Sequence, residues 1–153
     1  FPELNELFYA DSKNAYILKY PYKIESKIQL RQIKEKINWN SVFFCNDSFF
    51  KIYDWNYKLC MASVNGCSVM ALCYPLAGRG CGAIFGAHIW DFAGAWAIMK
   101  KLNFNLYNIK TSEQLEYFNP KDFVLPNWKL KDYYILSTAD NFKILRDNII
   151  PKK

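Results

Sequence analysis

The sequence predicts a layered α/β fold, a mixed β-sheet with buried helices. Three observations predict it. Short β-prone runs alternate with apolar helical segments along the chain. Hydrophobic residues make up 52% and aromatic residues 18%, which calls for large buried rings. The 153 residues are enough to bury the core of one domain, spanning 1–153.

The elements are predicted in order. Leu7-Phe8-Tyr9-Ala10 and Ala15-Tyr16-Ile17-Leu18 flank the turn-forming Asp11-Ser12-Lys13-Asn14, as a β-hairpin requires. From Ser26 to Ile37, the residues Ile28, Leu30, Ile33 and Ile37 recur among Lys and Glu, which predicts an amphipathic helix. Val42 to Cys45 reads as a buried strand, with Asp47 capping a short helix that reaches Tyr53. A strand over Leu59 to Ala62, a turn at Val64-Asn65-Gly66 and a helix from Cys67 to Leu76 follow. Gly78, Gly80 and Gly82 end that helix and release a strand, Ala83 to Phe85. A second helix starts at Asp91 and runs to Met99, before Lys100 and Lys101; its acid at the start and bases at the end suit the helix dipole. Apolar residues on all its sides predict burial between layers. A strand at Tyr133 to Leu136 and a closing helix from Asp140 to Asn148 complete the chain, and Asn119-Pro120 and Pro126-Asn127 mark a surface loop.

Composition excludes several classes. With 22% charged residues, six Gly and six Pro, the chain is neither a disordered tail nor a collagenous or proline-rich segment. The net charge of +6 suits an anionic ligand but falls short of a histone-like excess. Basic and aromatic residues do not alternate as on a nucleic-acid stacking surface, so no nucleic-acid partner is expected. Leu59 to Gly78 carries no charge and is long enough for a span, but Ser63, Asn65, Gly66, Ser68 and Pro75 make it a buried helix rather than a membrane one. The five cysteines form no CxxC pair and read as reduced thiols in a cytoplasmic protein. The chain starts Phe1-Pro2-Glu3, with no initiator Met, basic region or cleavage-type apolar run, and so reads as an interior cut.

Few motifs carry chemistry. Gly78-Arg79-Gly80-Cys81-Gly82 lacks the Lys-Ser/Thr of a P-loop and does not open a helix with dinucleotide spacing. The one histidine, His88, builds neither a zinc site nor a Ser/His/Asp set, so no catalytic residue is nominated. His88-Ile89-Trp90-Asp91-Phe92-Ala93-Gly94-Ala95 is different, because an acid opens an almost wholly apolar helix. Asp91 either caps this helix or, held ionised by the dipole, ligates a hard cation such as Mg²⁺. Gly66, Cys67 and Ser68 stand at the start of the other helix. There Gly66 either makes the turn or leaves free N–H groups open to an anionic ligand.

In these residues the chain resembles the inositol monophosphatase-like Mg²⁺-dependent phosphatases. Pro2 with Leu4-Asn5-Glu6-Leu7-Phe8-Tyr9-Ala10 is similar to the family's P-x-L-x-E-L-F-Y-A strand, and Ser12 to Tyr16 to its following hairpin. Gly66-Cys67-Ser68 stands where the family has G-S/T-A, Ala77-Gly78-Arg79 resembles its A-x-G-R, and Trp90-Asp91-Phe92-Ala93-Gly94 its W-D-x-A-A/G signature. The resemblance implies the C-terminal half of an αβαβα sandwich, with the half carrying the G-x-E-x and D-P-I/L-D-G-T motifs absent from the chain. It implies Asp91 as a Mg²⁺ ligand, with Gly66, Cys67, Ser68 and Asp91 on the substrate side. It implies a phosphomonoesterase for an inositol, sugar or nucleotide phosphate, partnered by the missing half or by a second copy. Ala83-Ile84-Phe85-Gly86-Ala87 has no acid where many inositol phosphatases carry a Glu for a sugar hydroxyl. The alternative is a non-catalytic divergent relative that binds a partner.

Overall fold

The computed structural model describes residues 1, 4–19, 26–32 and 36–152. Strands β1 (Glu6–Ala10) and β2 (Ala15–Lys19) form the expected hairpin, with Glu6 opposite Lys19 and Ala10 opposite Ala15. Asp11 closes its turn by accepting the backbone N–H groups of Lys13 and Asn14, each at 2.8 Å.

The helix predicted over Ser26 to Ile37 is not formed where the chain is described. Lys27–Gln29 is instead strand β3, paired antiparallel with β2, with Ile28 opposite Ile17; residues 33–35 lie outside the described residues. Without β3, the outer edge of β2 would leave its N–H and C=O groups unpaired. The new strand satisfies them, and Leu30 extends the pairing by donating to the Ala15 carbonyl at 2.9 Å. Ile28, counted in the helical apolar stripe, is 52% exposed.

The central sheet is built from the next segments. Strand β4 (Val42–Cys45) leads to a short helix α1 (Phe49–Ile52), whose N-cap is Ser48 rather than the expected Asp47. Strands β5 (Tyr53–Trp55) and β6 (Met61–Val64) follow, the latter two residues later than expected. Then come α2 (Ser68–Leu76), β7 (Gly82–Phe85), α3 (Ile89–Lys101) and β8 (Asn105–Asn108). In the predicted surface loop a 3₁₀ turn, Pro120–Asp122, precedes the small hairpin β9 (Phe123–Val124) and β10 (Lys129–Leu130). Strand β11 (Tyr134–Ser137), helix α4 (Ala139–Asp147) and strand β12 (Ile149–Pro151) end the chain, β12 pairing with β5.

The five-stranded sheet runs β6-β4-β7-β11-β8. β4 is parallel to β6 and β7, and β11 is antiparallel to β7 and β8, so the sheet is mixed. Alternation along its strands serves two cores. Phe44, Ala83, Phe85 and Leu136 face α2, α3 and the hairpin sheet, while Phe43, Cys45, Ile84 and Ile135 face α4 and β5. The layers are therefore α4, central sheet, α2 with α3, and the three-stranded sheet. Gly82 is required by close packing, since a Cβ there would lie 2.6 Å from the Leu136 carbonyl oxygen. Gly78 (φ 79°) closes α2 in the left-handed conformation; its N–H reaches the Pro75 carbonyl and that of Arg79 reaches Tyr74, a Schellman arrangement. α3 is less enclosed than its composition predicts. It buries Phe92, Ala95, Ile98 and Met99 but leaves Trp90, Ala93, Gly94 and Ala97 exposed.

Candidate functional site

The turn before α2 is held by Asn65, whose N–H donates to the Cys45 carbonyl at 2.8 Å and whose Oδ1 accepts the Cys67 N–H at 3.1 Å. Cys67 is the N-cap, yet no side chain caps the helix and no acid stands in its first turn. The positive end of α2 is thus uncompensated at Ser68. Gly66 is exposed, does not have positive φ, and would place a Cβ with nothing within 4 Å. Neither a strained turn nor a close contact among the described residues calls for a glycine there.

Helix α3 begins at Ile89 with His88 as its N-cap, two residues earlier than predicted, so Asp91 is the third helical residue and not the cap. Its carboxylate still serves the helix end, because Oδ2 accepts the His88 backbone N–H at 3.1 Å. His88 Nδ1 lies 3.8 Å from the same oxygen, and the Trp90 ring stacks on His88 with centroids 4.7 Å apart. Oδ1 has no hydrogen-bond partner among the described residues. The two readings of Asp91 are therefore compatible: one oxygen caps, the other is free.

Asp91 opens into a cavity of about 240 Å³ between the two helices and the hairpin sheet. Leu7 and Phe8 come from β1, Val69 and Cys73 from α2, and Gly94 and Ile98 from α3. Burial pushes the Cys73 thiol up to about 12, so it lines this wall as a neutral group. The structure brings the first turns of α2 and α3 to one cavity through Val69 and Asp91. Gly66, Cys67 and Ser68 do not line it. The signal that sequence reasoning passed over is the stripe Asp91, Gly94, Ala95 and Ile98, spaced as one helical face.

Among the described residues, no group of three or more His, Cys, Asp or Glu side chains is placed to hold a metal ion. Mg²⁺ prefers near-octahedral oxygen ligation, and Asp91 offers one free carboxylate oxygen. The described residues do not fit a complete Mg²⁺ site.

The architecture matches solved structures. SuhB of Mycobacterium tuberculosis superposes with a TM-score of 0.61 at 11% identity, over 94% of this chain and 53% of SuhB. CysQ from Bacteroides thetaiotaomicron, a bacterial member of the inositol monophosphatase family, gives 0.60 at 14% identity, over 90% and 55%. Inositol monophosphatase-II from Staphylococcus aureus MSSA476 gives 0.56 at 12% identity, over 88% and 50%. The chain has the inositol monophosphatase fold. It spans about half the length of these structures. No protein-family model matches the sequence, and no curated protein matches it. Within this half of the inositol monophosphatase fold, no helix among the described residues is long and apolar enough to cross a membrane.

Proposed function

We propose that the chain is the C-terminal half of a Mg²⁺-dependent phosphomonoesterase acting on a sugar, inositol or nucleotide phosphate in the cytoplasm. One observation carries the reading: Asp91, in the first turn of α3, keeps a free carboxylate oxygen in a cavity shared with the first turn of α2. The fold supports it, as does the S. aureus structure that holds inositol monophosphate. In the completed enzyme Asp91 is one ligand of the metal, and the other half supplies the rest. Bound Mg²⁺ would supply charge stabilisation to a phosphate ester. This chain's own contribution is the Asp91 carboxylate and the uncompensated positive end of α2, where Gly66, Cys67 and Ser68 leave room beside the substrate.

A second reading, a non-catalytic relative that binds a partner, draws on the exposed apolar side chains around the cavity. Leu7 is 47%, Val69 37% and Trp90 62% exposed. The reading frame upstream of Phe1 separates the two. A frame encoding G-x-E and D-P-I-D-G-T, and a longer product that releases phosphate with Mg²⁺, supports the enzyme. A frame without them supports the binding protein.

A further inference from the structure

Between β5, β12 and the end of α4 lies a cavity of about 570 Å³, in the size range of small-molecule sites. Ile52, Tyr53, Ile109, Ile149 and Pro151 form the apolar part of its walls. Ile109 and Ile149 belong to the core cluster around Phe43, and Ile52 and Pro151 extend that surface outward. Four charged side chains border these walls, and three are already neutralised: Lys110 pairs with Asp132, Lys152 with Asp54 and Asp147 with Lys143.

Arg146 is different. Its Nε donates to the Ile109 carbonyl at 3.2 Å, which anchors the guanidinium, but no carboxylate among the described residues lies within ion-pair distance of it. A half-buried cation against apolar walls loses hydration, and here it gains no counter-charge. Tyr53, only 7% exposed, also borders the cavity, and its hydroxyl has no hydrogen-bond partner among the described residues. The hydroxyl is not one of the fully enclosed unpaired atoms, so it is open to the cavity rather than orphaned in the core. Burial is the main cause that raises the Tyr53 phenol; the Lys110 ammonium opposes the rise, and Tyr133 and the Asp132 carboxylate add to it.

We propose that this cavity binds a carboxylate with a compact apolar body, its oxygens on the Arg146 guanidinium and the Tyr53 hydroxyl and its body against Ile52, Ile109 and Ile149. The planar fork of an arginine matches a carboxylate in two-point geometry. The phenol adds a third donor, and the aliphatic walls reward an apolar body that inorganic phosphate does not have. This site does not depend on the phosphatase reading, since it shares no residue with the Asp91 cavity.

The test is titration of the chain with 2-naphthoate, followed by calorimetry and by the probe's fluorescence, beside 2-naphthylmethanol and inorganic phosphate. The expected dissociation constant is on the order of 0.1 mM, within reach of a ligand of this size. Arg146→Gln weakens naphthoate roughly tenfold and Tyr53→Phe about threefold, as loss of a charged and a neutral hydrogen bond would. The alcohol binds at least about tenfold more weakly than the acid, and phosphate does not compete. Tyr53→Phe removes a hydroxyl with no hydrogen-bond partner among the described residues, so it reports on the site even where Arg146→Gln disturbs folding. Absence of naphthoate binding, equal binding of the alcohol, or unchanged affinity in Tyr53→Phe overturns the proposal.

Discussion

Arg79 clasps Glu6 through two hydrogen bonds, Nη1 to Oε2 at 2.7 Å and Nη2 to Oε1 at 2.5 Å. The pair ties the end of α2 to the first strand of the hairpin sheet. It exists because Gly78 turns the chain back at the helix end and aims Arg79 at β1. Glu6 is 5% exposed, and Lys19 stands 3.7 Å away as a second cation.

Arg79→Met leaves that carboxylate buried with only Lys19 beside it. The expected cost is roughly 3 kcal/mol, the low end for breaking a buried pair, because Arg79 is itself partly exposed. Urea unfolding at neutral pH measures it, and replacing both residues with apolar ones recovers most of the loss. The pair also sets a pH dependence. The hydrogen bond from Arg79 holds the Glu6 carboxyl below its ordinary value, against the opposing effect of burial. As pH falls, the unfolded chain protonates Glu6 first, near pH 4.3 or about that. The stabilisation is therefore complete above that value and is lost as pH falls through the lower folded one. Below about pH 4 the unfolding midpoint of the parent should fall more steeply than that of Glu6→Gln.

Asp91 separates two roles by substitution. In the completed enzyme, Asp91→Asn removes the charge that a cation needs but keeps an acceptor for the His88 N–H. Activity and Mg²⁺ dependence should collapse while the melting temperature barely moves. Asp91→Ala loses both, and its helix end weakens by roughly 0.3–1 kcal/mol, as loss of a first-turn carboxylate does. If Asp91→Asn turned over normally and only Asp91→Ala lowered the melting temperature, Asp91 would be a cap alone.

The 153 residues by themselves should hydrolyse no phosphate ester and bind Mg²⁺ weakly. One free carboxylate oxygen, with no cluster of ligating side chains around it among the described residues, holds the ion poorly in water. Calorimetric titration with Mg²⁺ and phosphate release from inositol and sugar phosphates read both. Turnover abolished by EDTA would place a complete site inside the chain. Leu7, Val69 and Trp90 should also make the isolated chain bind an apolar dye or self-associate.

Ser68 tests the substrate side of α2. It opens the helix without lining the Asp91 cavity, beside a glycine that no contact among the described residues requires. Ser68→Leu in the completed enzyme should raise KM several-fold with kcat little changed, as loss of uniform binding does. An unchanged KM removes this turn from the site.

What the sequence revealed was decided locally. The hairpin was legible because Asp11 and its neighbours make their own turn, and α2, β7 and α3 because glycines and charges punctuate apolar runs. The apolar spacing over Ser26–Ile37 predicts a helix, whereas β3 forms because β2 offers it an edge, a partner outside any local window. β5, β8 and β12 share that difficulty, since each is short and is stabilised by pairing with a distant strand. Asp91 stood out as an acid in an apolar helix, but its cavity needs β1 and α2 folded against α3. The Arg79–Glu6 pair joins two segments that the family resemblance singled out separately, and nothing in their spacing linked them.

Two glycines make opposite predictions for the same substitution. Gly94 lies in α3 with nothing within 4 Å of an added Cβ, and it lines the Asp91 cavity. A glycine inside a helix costs about 0.5–1 kcal/mol relative to alanine. Gly94→Ala should therefore stabilise the isolated chain by about that amount. Gly82 lies where a methyl group would meet the Leu136 carbonyl oxygen at 2.6 Å and a Leu145 methyl at 2.8 Å. Gly82→Ala must push β7 away from β11 or α4 and should destabilise by about 1–3 kcal/mol. Urea midpoints of the two variants measure the contrast. If another half packs over α3, Gly94→Ala should stabilise this chain alone yet weaken its association with that half. A variant that stabilised both equally would show that the α3 face stays open to solvent in the whole protein.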